Sequence, residues 1–294
     1  MFVERLGGGP IIRPDMDQRM GHNVNGPSLI RVPSWVARPL GRYYLYFAHH
    51  DGRYIRLAYA DDLLGPWTMY EAGVLPLEAS LFAGHIASPD VHVDDDRQEI
   101  RLYYHGSDTQ SRPGGVQWTR LALSADGIGF IARPERLGAP YFRVCKWGGW
   151  YYAIGMPGIL YRSRDGLSAF DERPALFGPE TRHVALNIVG ETLRVYYTRV
   201  GDCPERILVS TISLTADWRT WTASAPEIVL APELPYEGGD LPREPSQRGL
   251  IDEPVCQLRD PAIFHEDGRT YLLYSVAGER GIAIAALEAG GFGS

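Results

Sequence analysis

Five carboxylates stand in segments that strand ends or loops would bring to one cleft. They are Asp15 and Asp17 in the Gly- and Pro-rich stretch 7–28, Asp90 in HIASPDV, Glu237 in PYEGGD and Asp260 in LRDPAIF. Paired carboxylates suit general acid–base work, because one environment can keep a carboxyl protonated while another keeps its partner ionised. Arg259 beside Asp260 would hold that acid as the anion or bind a hydroxyl-rich or anionic group. The two glycines after Glu237 would let a ligand approach closely, and Tyr236 offers a flat ring to stack on it. Asp240 and Glu244 compete with Glu237, and Glu205 in DCPERI is a further acid. Around these acids His22, Asn25, His49, His85, His105, Arg143 and His183 would supply hydrogen bonds to substrate. Each choice has a plainer reading: Asp90 as a turn residue capping a strand, Asp260 with Arg259 as a buried structural pair, and the aromatics as sheet packing.

The histidines have no ligand spacing such as HExxH, and neighbours like His49 and His50 point to opposite faces of a strand. No catalytic metal and no required cofactor is expected. A structural divalent ion in a central channel is left open. Nucleotide-binding loops, a nucleophilic-serine elbow and cysteine metal clusters are all absent from the sequence.

What positions such residues is a repeat. Strand-like aromatic runs recur as RYYLYFAHH (42–50), EIRLYYHGS (99–107), WYYAIGMP (150–157), LRVYYTRVG (193–201) and TYLLYSVAG (270–278). Each follows a short apolar strand and precedes another. Such a pattern predicts an all-β chain forming a single five-bladed β-propeller with four-stranded antiparallel blades, one domain over residues 1–294. The last blade shows three strong strands, and FVERL at 2–6 would add the fourth and close the ring. Loop 7–28 and the Pro-rich loop 231–258 are expected to line a pocket; a solvated crossover is the competing reading of the second.

The 294 residues carry a formal charge of −7 with no basic tract, which argues against a nucleic-acid partner. No apolar run is long enough to span a membrane. Three dispersed cysteines, Cys145, Cys203 and Cys256, fit a reducing compartment, and with no leader-like start the expectation is a cytoplasmic protein. Seventeen Tyr and seven Trp suit a sugar, whose ring faces are apolar and whose edges are polar.

HIASPDV (85–91) resembles the second-blade motif of arabinanases and β-xylosidases, and LRDPAIF (258–264) the arginine–aspartate–proline motif of the same superfamily. AYADDLLGPW (58–67) and TRLALSADG (119–127) resemble its blade endings. Over most of its length the chain resembles the five-bladed propeller glycoside hydrolases, which include invertase-like enzymes and the anhydrogalactosidase group. The resemblance implies a carboxylate base or nucleophile, a carboxylic general acid and often a third carboxylate that positions the acid. It also implies a carbohydrate or glycoside substrate, cleaved within an oligosaccharide or at a terminal sugar. The expected roles are Asp15 or Asp17 as base, Glu237 as acid, and Asp90 with Asp260 positioning substrate. The chain departs from the pattern at NGPS (25–28), where relatives carry an Asp before the Pro, and at Arg143 and His183, which stand where blades three and four would offer an acid. That departure supports the alternative of a non-hydrolytic carbohydrate-binding propeller; a phosphorylase-like enzyme, using Arg143, Arg182 and Arg259 for phosphate, is a further alternative.

Overall fold

The computed structural model describes residues 2–109 and 116–288; most of the loop 107–115 expected to join two strands of the second blade lies outside them. Five four-stranded antiparallel sheets follow one another along the chain. The chain opens with β1 (Phe2–Arg5), and blade one is β2 (Asn25–Arg31), β3 (Tyr43–Ala48), β4 (Tyr54–Ala60) and β5 (Thr68–Pro76). Blade two is β6 (Ile86–Asp94), β7 (Glu99–Ser107), β8 (Gln117–Ser124) and β9 (Ile131–Ala132). Blade three is β10 (Arg143–Trp147), β11 (Trp150–Gly155), β12 (Ile159–Ser163) and β13 (Asp171–Glu172). Blade four is β14 (Thr181–Val189), β15 (Thr192–Arg199), β16 (Ile207–Ser213) and β17 (Glu227–Leu230). Blade five takes β18 (Arg259–Glu266), β19 (Arg269–Ser275) and β20 (Ile282–Glu288), and its fourth strand is β1, paired from Phe2 opposite Glu288 to Arg5 opposite Ala285.

The five aromatic runs are the second strands of the five blades, and their composition has a physical cause. Both faces of a second strand are covered by neighbouring blades, so residues of both parities must be apolar. In β3, Tyr43, Leu45 and Phe47 join the cluster shared with blade five, while Tyr44 and Tyr46 join the one shared with blade two. In β19, Tyr271 and Leu273 face blade one, and Leu272 and Tyr274 face blade four. Five apolar clusters thus fill the five gaps of the ring. Buried tyrosines need a partner for the hydroxyl. Tyr46 donates to Gly127 O at 2.8 Å in the β8–β9 turn of the next blade, and Tyr104 to Ser80 O at 2.6 Å in the connection between blades one and two.

The inner strands β2, β6, β10, β14 and β18 surround the axis and all run the same way, from the face that will be called the mouth. One glycine is dictated by this packing: a Cβ on Gly52, in the β3–β4 turn, would lie 2.2 Å from Ile86 O, where Ile86 N donates to Gly52 O. At the mouth β2, β6 and β18 share a local device. Gly26, Ser88 and Asp260 each precede a proline, have φ of 62°, 48° and 47°, and sit in a register shift against the second strand. Such bulges turn a side chain away from the regular pleat, and a non-glycine held at positive φ requires its surroundings to fix it there.

Candidate active site

At the mouth, the start of β18 presents Asp260 and the start of β14 presents His183, with Nδ1 of the histidine 2.8 Å from Oδ1 of the aspartate in a contact too oblique for a well-aligned hydrogen bond. Ser275 Oγ donates to the other carboxylate oxygen at 3.1 Å. Burial acts to raise the Asp260 carboxyl, but His183, Arg182 and Arg259 more than reverse it, so the group is held far below the ordinary carboxylate range. His183 is lowered overall, since burial outweighs its acidic neighbour.

A second buried acid, Glu279, reaches the same region from the β19–β20 connection. It accepts from Arg259 Nη1 at 3.0 Å and from Asn23 Nδ2 at 2.5 Å, and lies 3.2 Å from His50 Nδ1. Burial opposes its ionisation; the His50 hydrogen bond and the Arg259 charge bring it down to about 2 against the opposing charge of Asp260. The His50 side chain is 19% exposed, whereas Glu279 is sealed. Glu205, also sealed, faces Arg182 at 3.4 Å and Arg259 at 3.5 Å and leaves Oε1 without a hydrogen-bond partner.

The wall beside these acids is aromatic. Tyr141, at φ 63°, lies against His105 with ring centroids 3.9 Å apart and against His183 at 4.9 Å. His105 packs edge-on to His85, and neither ring nitrogen of His105 has a partner. Burial keeps both rings neutral: it lowers His85 to about 4 and, with the neighbouring histidines and Arg143, holds His105 well below the ordinary histidine range.

The structure therefore brings Asp260, His183, His85, His105, Arg259 and Glu205 to one region, places Asn25 and His49 beside its Asn23–His50 edge, and gives the remaining expected residues other partners. Glu237 is corrected outright as the general acid. It is fully buried in the closure of the ring: Arg5 donates from Nε at 2.8 Å and Nη2 at 3.1 Å, Tyr274 Oη at 3.0 Å, and the backbone of Glu233 and Leu234 completes its partners. The glycines beside it are required by backbone, with Cβ positions 2.4 Å from Val255 O at Gly238 and from Glu233 at Gly239, not by a ligand. Asp240 and Glu244 are exposed.

Asp17 does not serve as a base either. It caps a short turn through Arg19 N and pairs with the Arg19 guanidinium, which brings its carboxyl down to about 2. Asp15 is exposed and paired with Arg13. Asp90 lies deeper along the channel, its Oδ2 held at 2.8 Å both by His92 Nε2 and by Val144 N of the next blade, so that its carboxylate also links blades two and three. Arg143 donates to Pro89 O at 2.7 Å, so it too joins blades two and three. His49 accepts from Asp51 N at 3.0 Å, and Asn25 donates to Asn23 Oδ1 at 3.0 Å. His22 and Tyr236 line a separate cavity on the mouth face. Among the described residues no group of three or more His, Cys, Asp or Glu is placed to hold a metal ion.

Sequence reasoning passed over Glu279 and did not select His50. Their shared signal is position: His50 follows β3, Glu205 follows β15 and Glu279 follows β19, all in the mouth-side connection between second and third strands.

The fold is that of known propellers. A family 43 β-xylosidase/α-arabinofuranosidase from a compost microbial metagenome superposes with a TM-score of 0.65 over 100% of this chain and 97% of its own, at 16% identity. A family 43 enzyme of Xanthomonas citri gives 0.65 over 97% and 91%, at 14% identity. An exo-1,5-α-L-arabinanase from a bovine ruminal metagenomic library gives 0.59 over 92% and 95%, at 14% identity. The chain is a five-bladed propeller resembling these glycoside hydrolases in fold. No family model matches it. In sequence it is 36% identical, over 324 aligned positions, to an uncharacterized protein of Acanthamoeba polyphaga mimivirus, covering 98% of this chain and 90% of the viral one. At that identity and coverage, the chain belongs to the same protein family as the mimivirus protein.

Proposed function

We propose that the protein is a glycoside hydrolase whose chemistry is carried at the mouth by Asp260 and by His50 backed by Glu279. The observation that carries the reading is an anionic Asp260 at the start of an inner strand, beside a second acid whose partner is the more exposed imidazole. Glu279 engages Nδ1 of His50, which leaves Nε2 to exchange a proton. In the reaction, the imidazolium gives its proton to the departing glycosidic oxygen, and Asp260 stabilises positive charge at the anomeric carbon or takes the proton of the attacking water. Asp260 is the ionised partner because three cationic or hydrogen-bonding neighbours favour its charge. Tyr141 and the neutral His85 and His105 form a flat, hydrogen-bonding wall suited to sugar hydroxyls and ring faces.

The reading invokes no cofactor and does not need the divalent channel ion that the sequence leaves open. Three free cysteines support a cytoplasmic, reducing setting, which fractionation would test. The phosphorylase alternative is disfavoured because Arg143, Arg182 and Arg259 are each engaged by carbonyls or carboxylates. The non-hydrolytic binding alternative rests on Asn25 and Gly26, which leave blade one without an acid. The deciding experiment is release of reducing ends from pentose, hexose and anhydro-sugar oligosaccharides by the wild type and by a folded Asp260→Asn variant. Turnover lost in the variant supports hydrolysis at this site. Sugar binding without any turnover favours the non-hydrolytic reading.

A further inference from the structure

On the mouth face a cavity of about 670 Å³ opens between loop 7–28 and the turn at Tyr236. Its volume falls in the roughly 300–1,000 Å³ range of small-molecule sites. Arg13, Asp15, Gln18, His22, Tyr236 and Arg280 line it. A backbone wall one residue thick divides it from the candidate active site. His22 in the cavity precedes Asn23, which bonds Glu279, and Arg280 in the cavity follows Glu279 directly. The two segments are joined by a parallel bridge between Val24 and Arg280 and by Val24 N donating to Glu279 O at 2.7 Å.

Two features indicate the kind of ligand. The polar groups are held in place: Arg13 pairs with Asp15 at 3.0 Å and Arg280 donates to Asp252 O at 3.1 Å, so the wall offers fixed donors and acceptors. Tyr236 presents an anchored ring, since its hydroxyl bonds Tyr274, whose own hydroxyl is fixed on the buried Glu237. A rigid aromatic face among fixed hydrogen-bonding groups suits a sugar ring.

We infer that this cavity is a distal sugar-binding subsite, so that the substrate is an oligosaccharide reaching from the His50–Glu279 pair over the wall to Tyr236. The inference rests on the glycoside reading of the mouth and adds the length of the substrate. In the reaction, sugar units remote from the broken bond would contribute binding energy through the cavity.

The test uses xylo-, arabino- and galacto-oligosaccharide ladders from disaccharide to hexasaccharide. Two quantities are measured in parallel: kcat/KM of the active protein, and Kd by calorimetry on the Asp260→Asn protein. The variants are Tyr236→Ala and, because that change touches the closure, Gln18→Ala on the exposed rim. The expected result is a kcat/KM that rises with length by about tenfold or more, with the ratio of long to short substrate cut about tenfold by Tyr236→Ala and severalfold by Gln18→Ala. A flat length dependence overturns the inference, as does a rise that neither variant alters. If no ladder is cleaved but affinity rises with length and both variants remove the rise, the hydrolytic reading fails and the subsite stands. If no ladder is bound or cleaved, both fall.

Discussion

His50, at the mouth end of blade one, and Glu279, at the mouth end of blade five, meet at 3.2 Å across the gap where the ring closes. Asn23 ties them further, accepting from His50 N at 2.8 Å while donating to the carboxylate. A carboxylate fixed by Arg259 and Asn23 orients the imidazole and selects its tautomer, the arrangement general acid–base catalysis requires.

His50→Ala is expected to lower kcat by about 10²–10⁴ with intact circular dichroism. Added imidazole should restore part of the rate. A variant retaining the wild-type kcat would remove His50 from the chemistry. Glu279→Gln should lower kcat more than it alters KM, because it acts through His50 and not on the sugar.

Asp260→Asn keeps the size of the side chain and removes its charge. Loss of kcat/KM by about 10² or more is expected. Steady-state rates and thermal unfolding on the same preparation check it. Loss confined to KM would make Asp260 a binding residue instead.

Glu237→Gln tests the correction made above. It removes the buried carboxylate facing Arg5 and leaves that guanidinium only the exposed Glu233, which costs about 3 kcal/mol. The melting temperature should fall by several degrees, while kcat on a disaccharide falls far less than in Asp260→Asn. A selective loss of kcat with unchanged stability would return Glu237 to the acid role.

Stability should fall in two steps on acidification. His85 is lowered from 6.5 to about 4 by burial and by His50, so below pH 6.5 the unfolded chain takes up a proton that the folded one refuses. Its contribution is complete above pH 6.5 and declines toward pH 4. Glu279 is lowered from 4.5 to about 2, so its contribution is complete above pH 4.5 and is lost between there and pH 2. Thermal unfolding from pH 7 to pH 2 gives the curve. His85→Gln should flatten its upper part and Glu279→Gln its lower part; parallel curves for all three proteins would contradict this account.

The blade plan is legible in the sequence because a second strand covered on both faces needs apolar residues at every position. Tyr43 through Ala48 are all buried and could be read as a strand before any partner was known. The ring closure is legible for a related reason: three strong strands without a fourth leave an open edge. The site is less so. Glu237 is flanked by glycines in a Pro-rich loop and reads like a pocket acid; its partner Arg5 is 232 residues away. Asp260 is legible through its Arg and Pro neighbours. Glu279 sits in AGERG, which reads as an ordinary turn, and only the packing of blade five against blade one gives it His50.

The pairing of β1 with β20 also sets an order of events during synthesis. Phe2–Arg5 leave the ribosome ahead of blades one to four, and their partners Ala285–Glu288 follow after those blades. Blades one to four are each complete within a continuous stretch of chain and can form as they emerge. Strand β1 must wait, unpaired, until β20 of blade five has emerged. The protein is thus most exposed to wrong strand partners while nascent, and the Arg5–Glu237 latch can engage only after that wait.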